Sequence, residues 1–226
     1  MKAYLMNSKR LGEIYNLLYQ HFGPQGWWPG ESTEEIILGA ILTQNTSWGN
    51  VEKALAQLKG NNCLDFEKIY DLDTALFAEM IRPAGYYNIK AKRVKNFVQW
   101  LYDQYAGQLG RLESVSTDLL RNQLLSVNGI GKETADSILL YGLGRAVFVV
   151  DTYTSRVLVR HNLIDDQCDY EQIREFMESN TEENVQLYNE FHALLVCVGK
   201  QFCKPRCLCS KCPLDSIPHA SLDNIA

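Results

Sequence analysis

No apolar run in this 226-residue chain approaches 18 residues, and no charged-then-apolar export pattern stands at its start. A membrane span and secretion are therefore not expected, and a cytoplasmic location is the default. Alternation of apolar and polar residues at period two is almost absent, as are repeats and low-complexity tracts, which argues against sheet architectures and solenoids. Positive charge is not in excess either: 22 Lys and Arg stand against 27 Asp and Glu, a net charge of −5 that does not advertise a nucleic-acid binder. Cysteine is sparse except in one place, since five of seven fall between Cys197 and Cys212. Without an export signal, that clustering favours a metal or cluster site over disulfides.

What is present is an ordinary globular composition, 46% apolar and 22% charged, organised with helical spacing throughout. The expected class is all-α. Leu11, Ile14, Tyr15, Leu18 and Phe22 mark an N-terminal amphipathic helix ending near Gly23. Ser32 with Glu35 makes a capping box before Ile36–Leu42, apolar almost all round and so expected at the centre of the core. That helix empties into the polar turn Thr43-Gln44-Asn45-Thr46-Ser47-Trp48, where Ser47 is expected to cap the next helix. Further helices are expected near 73–81, over 88–102, after Ser116 or Thr117, from Lys132 to Leu143, after Asp151, over 169–179 and over 185–199. Charge is segregated: Asp165–Glu183 is acid-rich, whereas Lys90, Lys92, Arg93 and Lys95 form one basic cluster and Lys200, Lys204, Arg206 and Lys211 another. Local patches of this kind hold phosphates even in an acidic protein, although solvated faces look the same in sequence.

The most informative stretch is Leu124–Arg156: a short helix, the turn Val127-Asn128-Gly129-Ile130-Gly131, a second helix, and an apolar run ending on Asp151. Glycines at such a turn let an anion approach unpaired backbone N–H groups, and Lys132 adds charge at its mouth. A plain reversal of direction would use the same glycines. Asp151 suits acid chemistry, and equally suits the N-cap of the helix starting at Thr152.

In this order, the polar turn Leu42–Thr46, the run Gly85-Tyr86-Tyr87-Asn88-Ile89-Lys90-Ala91-Lys92, the hairpin and the C-terminal cysteines resemble the helix-hairpin-helix glycosylases typified by endonuclease III, over about Ser32–Cys212. The resemblance implies a two-lobed fold, with residues 30–136 as a central lobe, residues 1–29 and 137–226 as a second lobe, and a cysteine loop at 203–212. It further implies double-stranded DNA carrying a damaged base as partner, a flipped nucleotide received between the lobes, and a monomer without membrane attachment. Asp151 matches the catalytic aspartate, Gln44 the residue that fills the vacated stack, and Asn45, Gly129, Gly131, Lys132, Thr134, Lys90 and Lys92 fall at DNA-binding places. One departure carries information. Members that also cut the backbone carry a lysine where this chain has Glu133, and a carboxylate forms no Schiff base with an abasic sugar. Lys132 is a poor substitute, because one step along a helix rotates a side chain by roughly 100°. Base release with weak or absent lyase activity is therefore expected.

Within the superfamily, Trp27-Trp28-Pro29 together with Leu42–Trp48 looks most like the MagIII branch of 3-methyladenine glycosylases. That likeness implies a pocket with Trp27, Trp28, Trp48 and Glu133, in which indole faces stack on a cationic alkylated purine; packing is the alternative use of the same tryptophans. The family's iron–sulfur loop is matched by Cys203, Cys209 and Cys212 with a shortened first gap, while its fourth position falls on Pro218. Cys207 is available in its place, so Cys203, Cys207, Cys209 and Cys212 are the expected [4Fe–4S] ligands. His219 as a ligand, zinc, and no metal are the alternatives. Two other functions fit the same motifs: an endonuclease III-like enzyme for oxidised pyrimidines, and a non-catalytic DNA-binding module.

Overall fold

The computed structural model describes residues 2–219, with side chains from Met6 onward; the last seven residues of the expected second lobe lie outside the described residues. It contains α1 (Lys2–Phe22), α2 (Thr33–Leu42), α3 (Trp48–Gly60), α4 (Phe66–Asp71), α5 (Thr74–Met80), α6 (Tyr87–Tyr105), α7 (Thr117–Ser126), α8 (Lys132–Ser137), α9 (Thr152–Arg160), α10 (Tyr170–Asn180) and α11 (Val185–Gln201). Among the described residues there is no strand, as the lack of period-two alternation requires. Two compact units emerge: Trp28–Arg145, and Met1–Trp27 with Ala146–Ala226. The hairpin's second helix, which the expected boundary at residue 136 divides, thus lies whole in the central unit.

In the central unit, α2 packs against α3, α6, α8 and the turn that follows α8. Ile37, Leu38, Ile41 and Leu42 are fully buried, each contributing about 1.5–3 kcal/mol relative to exposure. Ser32 caps α2 by accepting from the Glu35 N–H, but the box is only half made, because the Glu35 carboxylate turns to the Glu31 N–H at 2.8 Å and to Lys59 at 2.9 Å. Ser47 occupies the cap position of α3 without a side-chain capping bond. α4, which sequence periodicity leaves unmarked, is capped by Asp65. The helix expected over Lys132–Leu143 is not α-helical throughout: after Ser137 it widens into a π-helical turn, Ile138–Gly142.

In the terminal unit, α1 and α9 pack against α11. The apolar run leading to Asp151 is extended but pairs with no strand, so its N–H groups need other acceptors. They find them on α10: Phe148 N–H donates to Glu178 Oε1 at 2.9 Å, and Val150 N–H reaches the Tyr170 hydroxyl at 3.4 Å. The acidic segment, a solvated surface by sequence alone, thus supplies anchors for the strand-like run that delivers Asp151.

Candidate active site

The hairpin is built from α7, the turn Val127–Gly131 and α8. Arg121 of α7 holds Asp136 of α8 through two bonds of 2.6 and 3.0 Å, both residues buried, which braces the two helices. Gly129 lies at φ 97°, and a Cβ there would run into the Arg93 side chain, so the turn needs glycine for both conformation and space. Its mouth is exposed: Gly131, Lys132 and Glu133 face solvent. Thr134 is buried instead, and its hydroxyl accepts from Gln44 Nε2 at 3.1 Å. The same Gln44 nitrogen donates to the Gly129 carbonyl at 3.3 Å, and Gln44 Oε1 accepts from Arg93. Gln44 is thereby fastened to the hairpin in this structure, while Asn45 beside it is exposed at φ 53°.

Lys90 requires a correction. Expected among surface cations facing DNA, it is only 1% exposed, and its ammonium donates to the carbonyls of Leu42 at 2.8 Å and Ala84 at 2.7 Å. Burial, with a further push from Arg93, lowers its pKa from 10.5 to about 8. Lys90 is therefore a strut joining the end of α2 to the Arg82–Ala84 turn. Lys95 caps the end of α4 in a similar way, through the carbonyls of Ile69, Tyr70 and Leu72. Lys92 is the lysine of this cluster that stays exposed and available to a phosphate.

Asp151 begins α9. Its Oδ1 accepts from the Thr154 N–H at 2.7 Å, the N-cap geometry, and its Oδ2 faces His192 Nε2 at 3.6 Å, an ion-pair distance longer than an ordinary hydrogen bond. Burial pushes this carboxyl up, but His192 and Thr154 more than reverse that and hold it below the usual carboxylate range. Capping and acid chemistry coexist, because the cap uses one oxygen only. His192, of α11, was invisible in sequence: it sits in the nearly apolar run Phe191–Val198, and being the one polar residue there is its only signal.

The adjacent tryptophans part company. Trp27 stacks on His192, ring centroids 5.6 Å apart and planes 18° from parallel. Trp28 packs edge-on against Trp48 at 5.1 Å and lies against Tyr141 of the π-helical turn at 4.8 Å. Gly39 of α2 makes room for both indoles, since a Cβ there would stand 3.1 Å from Trp28 and 3.3 Å from Trp48. Glu133 lies exposed in the first turn of α8, and its carbonyl accepts from the Ser137 hydroxyl.

The C-terminal cysteines do converge. Cys203, Cys207, Cys209 and Cys212 line one cavity with Arg160, His161, Phe202 and His219. Cys207 and Cys209 are joined as a disulfide, Cys203 and Cys212 are thiols, and Arg160 Nη1 donates to Cys203 Sγ at 3.3 Å. Among the described residues no group of three or more His, Cys, Asp or Glu is placed to hold a metal. The donor set fits a four-thiolate site in its chemistry only with that disulfide open, the state a reducing compartment favours.

An acid at a helix start beyond a glycine hairpin, on an all-helical two-unit chain, defines the class. The profile of the HhH-GPD superfamily of base excision DNA repair proteins matches residues 38–183, and the chain belongs to that superfamily as a DNA repair glycosylase. It is 46% identical over 204 residues to a Methanocaldococcus jannaschii protein provisionally named a DNA repair glycosylase, covering 89% of this chain and 92% of that one. To endonuclease III of Sulfolobus acidocaldarius it is 31% identical over 193 residues, 84% of this chain and 82% of the other. The H. pylori 3-methyladenine DNA glycosylase MagIII, solved with bound 1,N6-ethenoadenine, superposes with a TM-score of 0.74 at 31% identity, over 86% of this chain and 97% of its own. No helix among the described residues is long and apolar enough to cross a membrane.

Proposed function

We propose that this glycosylase is monofunctional, that it takes an alkylated purine, 3-methyladenine above all, out of double-stranded DNA, and that Asp151 drives hydrolysis of the N-glycosidic bond. The observation that carries the reading is the Asp151 carboxylate: largely shielded from water yet held ionised, one oxygen fixed by its helix and the other facing an imidazole on which Trp27 stacks. Glycosidic cleavage develops positive charge on the sugar, and a carboxylate kept ionised in a poorly solvated site stabilises that charge and orients the attacking water. A methylated purine is itself cationic, so indole faces bind it by stacking and cation–π attraction, and its weakened bond asks for little leaving-group protonation. Trp27, Trp28 and Trp48 are the aromatic candidates, with Tyr141 added by its contact to Trp28. Similarity to MagIII at 31% identity supports the alkylpurine class. Exposed Lys92 and Lys132 are assigned to phosphates, Gln44 and Asn45 to the DNA stack, and the protein to a monomer.

Glu133 in place of the Schiff-base lysine is the ground for excluding strong lyase activity. The 31% identity to an archaeal endonuclease III favours a second reading, oxidised pyrimidines as substrate. One assay separates the two: duplexes with alkylated, oxidised or deaminated bases, scored separately for free base and for strand cleavage. Alkylpurine release without scission, abolished in Asp151→Asn, is expected; strong β-elimination by the wild type overturns the monofunctional reading, and preference for oxidised pyrimidines overturns the substrate.

For the C-terminal loop we propose a structural [4Fe–4S] cluster held by Cys203, Cys207, Cys209 and Cys212 in their reduced form. Those four cysteines would hold the cluster beside α9 and α11, and it would brace the loop that carries the exposed Lys204, Arg206 and Lys211, which we assign to the DNA backbone. Anaerobically purified protein is expected to be coloured and to carry iron; colourless, iron-free protein under those conditions removes the cluster.

A further inference from the structure

The terminal unit contains a second functional group that the hydrolytic reading leaves without a role. His192 is 5% exposed, yet it occupies the middle of α11 with its Nε2 3.6 Å from Asp151 Oδ2. Two aromatic surfaces fix the plane of its imidazole: Trp27 lies nearly parallel at 5.6 Å, and Phe148, from the run that delivers Asp151, stands edge-on at 6.4 Å and 86°. Burying a polar ring in this way is unfavourable unless the ring has a partner to serve, and the partner its Nε2 faces is the carboxylate.

We infer that His192 is the positioning residue of Asp151: with Thr154 holding Oδ1, the imidazole holds Oδ2, so that the carboxylate has one orientation and remains ionised at the moment positive charge develops on the sugar. The inference rests on the proposed catalytic role of Asp151. Held at one oxygen only, a carboxylate swings about its Cβ–Cγ bond, and displacement of a reacting group by about 1 Å is enough to cost a hundredfold in rate. The charge environment is simple. Asp151 is faced from α11 by His192, while its own helix offers the Thr154 N–H; Arg156 and Lys200 are turned over the Tyr153 ring at 5.2 and 6.0 Å, and Glu190 of α11 accepts from the Gln25 N–H. Removing the imidazole takes away the largest influence that keeps the carboxyl low. The expected sign follows: without His192 the Asp151 pKa rises, and activity that needs the carboxylate is lost at a higher pH on acidification.

The test uses the full chain in two variants. His192→Phe fills the same space without a polar atom, and His192→Gln returns an N–H near the place of Nε2. Single-turnover release of the alkylated base is expected to fall by about 30- to 100-fold in His192→Phe and to recover at least half of that loss on a logarithmic scale in His192→Gln, with duplex affinity unchanged in both. The acid limb of the rate profile is expected to move to higher pH in His192→Phe only. Carboxyl NMR of Asp151 supplies a readout that needs no substrate and should show the same upward movement. Equal loss in both variants with an unmoved Asp151 titration would reduce His192 to packing, and full activity in His192→Phe would dismiss it altogether. Should Asp151→Asn keep wild-type activity while the NMR titration still responds to His192, the catalytic reading of Asp151 falls and the contact survives as a capping device.

Discussion

Lys90 in the central unit and Asp151 in the terminal unit are both charged, both nearly closed off from water, and both placed where a turn meets a helix, yet their surroundings answer them differently. The Lys90 ammonium spends its donors on two backbone carbonyls, groups that cannot titrate or move. Burial wins there, and its pKa falls to about 8. Asp151 gives one oxygen to backbone and turns the other to an ionisable side chain, and interaction wins over burial, so its carboxyl stays low. A buried charge satisfied entirely by main chain is scaffold. A buried charge with an oxygen left facing a titratable partner is the one to which the proposed reading gives the chemistry.

The largest test of that contrast is Asp151→Asn. Asparagine caps helices about as well as aspartate, so the melting temperature should change little, while base release should drop by roughly 10²–10⁴-fold. A comparable loss of stability would mean that the cap, and not the charge, is what Asp151 provides. Lys90→Met should do the reverse. It leaves the carbonyls of Leu42 and Ala84 without their donor, at about 1–3 kcal/mol each, partly offset because a buried charge is removed as well; the net expectation is a lower melting temperature with kcat close to wild type. pH sharpens the point. Between about 8 and 10.5 the unfolded chain keeps the Lys90 proton that the folded chain has released, so wild-type stability rises with pH through that window. Lys90→Met lacks this contribution, and the stability gap between the two proteins should widen as pH climbs. A constant gap in denaturant titrations would show that Lys90 is not strained by its burial.

Much of this is legible in the amino-acid sequence. α2 announced itself because Ile36–Leu42 has no polar face, the hairpin because two glycines interrupt two helices, and Asp151 because an apolar run ends on one acid. Lys90 departs from its expected place although the signal is in the sequence: it lies four residues before Val94 and seven before Phe97, on the buried stripe of α6, where a charge that cannot reach water must find carbonyls. Counting it with Lys92 and Lys95 as a basic cluster treated adjacency in sequence as adjacency in space. Three features were out of reach by pattern alone. The Asp151–His192 pair joins residues on two helices far apart in the chain. The anchoring of Phe148 by Glu178 depends on where α10 packs. The parting of Trp27 and Trp28 depends on which unit each ring falls into, which adjacent identical residues cannot reveal.

The smallest effect separates scaffold lysine from DNA lysine directly. If phosphate contacts dominate affinity, log Kobs falls linearly with log salt, and each lost contact flattens the slope by about 1. Lys92→Ala, which removes an exposed cation two residues from Lys90, should flatten the slope by that amount for damaged and undamaged duplexes alike. Lys90→Met, measured at a temperature where it is fully folded, should leave the slope unchanged, since an ammonium held by the Leu42 and Ala84 carbonyls has no phosphate to release. Equal flattening by the two substitutions would mean that Lys90 leaves its carbonyls when DNA arrives, and the distinction between a buried charge that supports and a surface charge that binds would fail for this helix.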